Sequence, residues 1–88
     1  MEALSVKYDH LLQEEETLVL RIKTCEECVL NLLQTIGGNA DSLHLLTIED
    51  MLSAVQQISY DLQTELLHLR MEKYILSHRL QVSHADGA

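Results

Sequence analysis

Proline, phenylalanine and tryptophan are all missing from the 88 residues, and glycine occurs only three times. Without proline, nothing interrupts a helix except the one short segment around Gly37-Gly38. Without large aromatics, the apolar content of 47% is almost wholly aliphatic, with Tyr8, Tyr60 and Tyr74 the only exceptions. Such a composition suits a bundle or coiled coil better than a domain built around a pocket. Positive charge is also scarce. Six bases stand against fourteen acids, for a net charge of −8, so no basic cluster is available to release counterions from a phosphate backbone. The same balance disfavours an anionic membrane surface. No uncharged apolar run approaches the roughly 20 residues that span a bilayer. The first twenty residues contain Glu14, Glu15 and Glu16, which is not the pattern of a secretory signal. Two cysteines three apart cannot staple distant parts of the chain. The composition therefore predicts an intracellular protein, cytoplasmic or nuclear, that binds no nucleic acid, membrane or small-molecule substrate.

What the chain does have is an apolar seam. Leu4, Leu11, Leu18, Cys25 and Leu32 form one row of it, and Tyr8, Glu15, Ile22, Val29 and Ile36 form the other. The steps alternate four and three over five heptads, the repeat of a helix packed along its length against another helix. This predicts a first helix over about residues 2–36. Gly37 and Gly38 would close it in the left-handed conformation that glycine adopts freely. Asn39 to Ser42 read as a polar turn, and Leu43 to Leu46 as an apolar plug over the end of the bundle.

A second helix is predicted over about 47–80. Thr47 and Asp50 resemble a short capping box, with Leu46 and Met51 as a hydrophobic staple. Its seam reads Ile48, Met51, Val55, Ile58, Leu62, Leu66, Leu69, Lys73, Leu76 and Leu80. Two four-residue steps fall together at Ile58, Leu62 and Leu66, a local departure from the heptad. The tail 81–88 loses the pattern and is expected to be disordered. The fold class is thus all-α. A single domain spanning 1–88 forms a long two-helix antiparallel hairpin, coiled-coil-like, within a four-helix or larger oligomeric bundle.

Two features point to partners. The first is apolar surface outside the seam: Leu12, Val19 and Leu33 widen one side of the first helix, with Leu20 and Leu30 beyond. Leu52, Tyr60, Leu67, Met71 and Tyr74 form a flank on the second. Apolar residues on two sides of a helix imply a second packing partner, and Leu12, Val19, Leu33, Tyr60, Leu67, Met71 and Tyr74 are the expected contacts. The second feature is the pair of charged seam residues, Glu15 and Lys73, candidates for specifying register or partner. Pairing the helices about the loop centre sets Glu15 opposite roughly His68, about one turn from Lys73.

Chemistry finds little footing. Cys25-Glu26-Glu27-Cys28 has CxxC spacing but lies mid-helix beside two carboxylates, away from a helix start that would lower a thiol pKa. No second pair supplies the further ligands of a zinc site, and Cys25 is best read as a small seam hydrophobe. His10, His44, His68, His78 and His84 are scattered. Gly37-Gly38 lacks the spacing and following Lys of a phosphate loop. No metal, cofactor or catalytic residue is assigned. The reading is of a non-catalytic scaffold or interaction subunit that assembles with other helical subunits. The alternatives are a homodimeric coiled-coil adaptor and a small regulator laying one helix into a partner's groove.

Overall fold

The computed structural model describes residues 2–86, with side chains described over residues 3–82. Two helices, α1 (Glu2–Asn39) and α2 (Leu45–Asp86), lie against each other in an elongated all-α hairpin. A 3-10 turn at Ala40–Ser42 joins them. Its principal-axis extents are 69 × 15 × 15 Å, those of long helices lying side by side.

On α1 every expected seam residue from Leu4 to Ile36 is buried or half-buried. Leu11, Leu18 and Cys25 form a core cluster with Leu62, Leu66 and Leu69 of α2, and Ile22 and Val55 pack against it. The core is thin. Leu62 and Leu76 keep only 3% of their surface, yet no described side chain is completely enclosed. Two cylinders share one line of contact, so each seam residue retains an edge in water.

The seam of α2 differs from the expected one in its first half. Met51 and Ile58 are 48% and 52% exposed, whereas Leu52 and Ser59 are half-buried. The inward row is Ile48, Leu52, Val55, Ser59, Leu62, Leu66, Leu69, Lys73, Leu76 and Leu80. Its steps alternate four and three throughout, so the expected break in the heptad is not present. The reason is rotational. Each residue advances a helix by about 100°, and turning α2 enough to bury Ile58 would swing Leu52 and Leu66 outward. Period outweighs the hydrophobicity of one side chain. Ser59 meets its polar requirement locally, accepting a hydrogen bond from Gln63 Nε2 at 3.1 Å.

The connection also departs from expectation. Gly37 and Gly38 remain inside α1, and no described glycine has positive φ. Helix α2 begins two residues before Thr47, because His44 provides the cap. Its carbonyl accepts from the amides of Thr47 and Ile48 at 3.1 and 3.2 Å. Its ring Nδ1 accepts from the Thr47 amide at 3.3 Å and lies 2.7 Å from the Thr47 hydroxyl. With Nδ1 already an acceptor, the hydroxyl is the donor in that contact. These bonds satisfy amides that a helix start leaves without partners. The expected plug does not form: Leu43 is half-buried, but Leu45 and Leu46 sit in the first turn of α2 and face solvent. At the far end α2 runs on through Asp86 in place of the expected disordered tail; residues 87 and 88 lie outside the described residues.

Two outcomes test these assignments in thermal or urea unfolding. Gly37→Ala should stabilise the hairpin by roughly 0.5–1 kcal/mol, as for a helix-interior glycine, since a Cβ there meets nothing within 4 Å. A left-handed glycine would give the opposite sign. Ile58→Gln should change stability by no more than about 0.5 kcal/mol, whereas Leu62→Ala should cost about 2–5 kcal/mol.

Candidate protein-interaction surface

In an antiparallel pair of heptad helices, the residues following the seam rows of both helices line one side of the hairpin and those preceding them line the other. The two sides of this molecule are unlike. One groove is lined by Cys25, Glu26, Val29, Leu30, Leu33, Leu52, Gln56 and Ser59. The seam beneath it is built from small residues, Cys25, Val29 and Ser59, which leave a recess between the helices. Farther toward the open end, the same side continues as a surface of Glu15, Glu16, Val19, Leu20 and Arg70. The opposite side carries His10, Gln13, Glu14, Thr17, Arg21, Glu65, His68 and Glu72. On α1 the exposed apolar residues thus gather on the grooved side, while on α2 the opposite side also exposes Met51, Ile58 and Ile75.

The flank of α2 joins the grooved side. Gln56, in the groove wall, donates from Nε2 to the Tyr60 hydroxyl at 2.9 Å. Arg70 shares the Val19 surface, and Leu67 and Tyr74 are its neighbours three residues before and four after on the helix. Of the expected contact residues, Val19, Leu33, Tyr60, Leu67, Met71 and Tyr74 are exposed; Leu67 is 66% and Tyr74 71% so. Leu12 is half-buried beside the seam. The sequence also hid apolar exposure elsewhere. Val6, Met51, Ile58, Ile75 and Val82 face water as well, and a face assignment from the true α2 seam would have placed Met51 and Ile58 outside it.

Glu15 and Lys73, about one turn apart in the sequence-based pairing, are in direct contact. Lys73 Nζ donates to Oε1 and Oε2 of Glu15 at 2.9 and 3.1 Å, and Arg70 Nε donates to Oε2 at 2.9 Å. The pairing is therefore centred on His44, not between Asp41 and Ser42. The shift follows from α1 running past its glycines, which moves the turn toward α2. The Glu15 and Lys73 side chains are largely covered, while Arg70 is half exposed. The hydrogen bond from Lys73, then that from Arg70, holds the Glu15 carboxyl below its ordinary value of 4.5. The same bond raises Lys73 above 10.5. Lys73 Nζ also lies 5.7 Å from the Tyr74 ring centroid, within cation–π range.

Neither cysteine is in a disulfide; Cys25 is buried and Cys28 exposed. Among the described residues, no three His, Cys, Asp or Glu side chains are grouped to hold a metal ion, and no helix is long and apolar enough to cross a membrane. Compared with protein-family models, curated proteins and solved structures, the chain matches none.

The ion triad makes a pH prediction. Glu15, with its lowered folded-state pKa, contributes fully above 4.5 and loses that contribution as pH falls through the lowered value. Lys73, with its raised value, contributes fully below 10.5 and loses it as pH climbs through the raised value. Glu15→Gln should therefore lower the melting temperature by a few degrees across the neutral range. The difference from the parent chain should fade both in acid and in strong alkali; a pH-independent difference would refute it.

Proposed function

We propose that the chain is a non-catalytic helical interaction module, a scaffold subunit that assembles with other helices through its apolar long side. The observation that carries this reading is the exposed apolar surface of the hairpin: Leu30, Leu33, Tyr60, Leu67 and Tyr74 stand on the grooved side, and Met51, Ile58 and Ile75 are exposed on the other. Exposed apolar surface of this extent is uncommon on a monomer and marks interfaces. The area points the same way. A compact monomer of 10.0 kDa exposes roughly 5,200 Å², whereas this chain exposes 6725 Å².

Partner helices would lie along the groove and over the Val19 surface, burying apolar area at about 25 cal/mol per Å² before the costs of association. Tyr60, Leu67 and Tyr74 would carry much of the affinity, as large anchors at the centre of an interface do.

Site-specific photo-cross-linking in living cells tests the reading. A photoreactive side chain at Leu67 or Leu33 should give discrete protein adducts, and the same group at Glu65 or Gln13 on the other side should give none. Adducts confined to the Glu65 side would overturn it.

A further inference from the structure

The side chains that ordinarily cap a helix start keep one charge state across the neutral range. The start of α2 is different. His44 directly precedes Leu45, the first residue of that helix, and its ring stands where a capping oxygen usually does. Nδ1 accepts from the Thr47 amide, three residues on, at 3.3 Å and from the Thr47 hydroxyl at 2.7 Å. A backbone amide can only donate, so Nδ1 must present its lone pair and the ring proton must sit on Nε2. The cap therefore exists in one tautomer of the neutral imidazole.

Protonation removes it. An imidazolium carries a proton on both nitrogens and accepts nothing. It would also set a positive charge against amides that already form the positive end of the helix. The surrounding charges do not compensate. Residues 29–39 of α1 include no Lys, Arg, His, Asp or Glu; the turn carries Asp41, and the start of α2 carries Glu49 and Asp50. None of these carboxylates pairs with His44, since both ion pairs among the described residues belong to Glu15. A carboxylate could hold the cation only if the ring swung away from Thr47, and that movement opens the cap as well.

The cap secures the closed end of the hairpin. The His44 carbonyl receives the amides of Thr47 and Ile48, and Ile48 is the first buried residue of α2. We propose that His44 makes this end pH-sensitive: the neutral ring seals the first turn of α2, and the protonated ring releases it as pH falls from about 8 to 5. The folded chain must keep His44 unprotonated to hold the cap, whereas the unfolded chain has no such requirement. The unfolded state therefore binds more protons in this interval, and stability falls with pH. The device is separate from the Glu15 triad, whose contribution is complete above 4.5, and it acts whatever covers the apolar surface.

Nitrogen-15 magnetic resonance on the full chain is the direct test. At the alkaline limit of the interval the ring shifts of His44 should report a proton on Nε2 and a lone pair on Nδ1. Toward the acid limit, hydrogen-exchange protection of the Thr47 and Ile48 amides should fall roughly fivefold, the equilibrium factor of a typical lost cap. The variant H44N supplies a capping acceptor that takes up no proton in this range, so its protection at both amides should stay level. The melting temperature of the parent chain should fall relative to H44N by a few degrees over the same interval. His10, His68 and His78 are present in both chains, so the difference isolates His44. A proton on Nδ1 at the alkaline limit would overturn the proposal, and so would an equal loss of protection in H44N.

Discussion

Two α-helices can lie along each other for tens of ångströms only if their apolar positions return to the same side every seven residues. A straight helix repeats at 3.6, so the match must be held residue by residue. Both helices here keep that phase, α1 from Leu4 to Ile36 and α2 from Ile48 to Leu80. Everything else adjusts to it: Ile58 is left in water, a serine takes an inward position, and a glutamate and a lysine occupy sites that would ordinarily be apolar. The exposed side is a consequence of the same constraint. Once the phase of α2 is fixed, Tyr60, Leu67 and Tyr74 have no place in the seam and must stand outside it.

The Glu15 triad shows how a polar seam position is made tolerable. A lone carboxylate there would be desolvated on its inner edge and would oppose folding. Here both oxygens are engaged, by one cation in the same layer and by another from the edge. Sliding α2 by one heptad would leave Glu15 without Lys73 and put Leu66 or Leu80 near it. Aliphatic layers discriminate poorly among such registers, since one leucine packs much like another, while an ion pair is satisfied in only one. In the structure the pair joins the layers of Glu15 and Lys73.

Much of this was legible in the sequence. The α1 seam, the two-helix hairpin and the flanking apolar residues follow from the spacing of leucines and from the absence of proline. The failures share a cause: each gave a local residue preference more weight than the long-range phase. Ile58 was chosen over Ser59 for its hydrophobicity, although the heptad from Leu62 to Leu80 already determined the answer. Gly37 and Gly38 were read as a stop because glycine tolerates left-handed turns, but a helix can carry glycines when the flanking turns are packed, as Ile36 is. That single misreading moved the turn and with it the register, which concealed the contact between Glu15 and Lys73. The His44 cap was missed because histidine is not among the usual capping residues. Nothing in the chain marks the tail beyond Leu80 as helical, yet α2 continues through Asp86.

The His44 cap also bears on how the molecule reaches its folded form. Contacts near the turn close short loops, and those toward the open end close progressively longer ones, each at a rising entropic cost. Assembly that begins beside His44 and runs layer by layer toward Leu4 forms each new contact when the preceding layer has already brought the strands of the chain together. On this route the layers of Leu52, Ser59 and Leu66 form before Glu15 meets Lys73. The small residues at Cys25, Val29 and Ser59 make an early stretch weak, and the ion triad arrives late, after most of the seam is closed. It acts as a latch on a zipper, closing behind the layers nearer the turn.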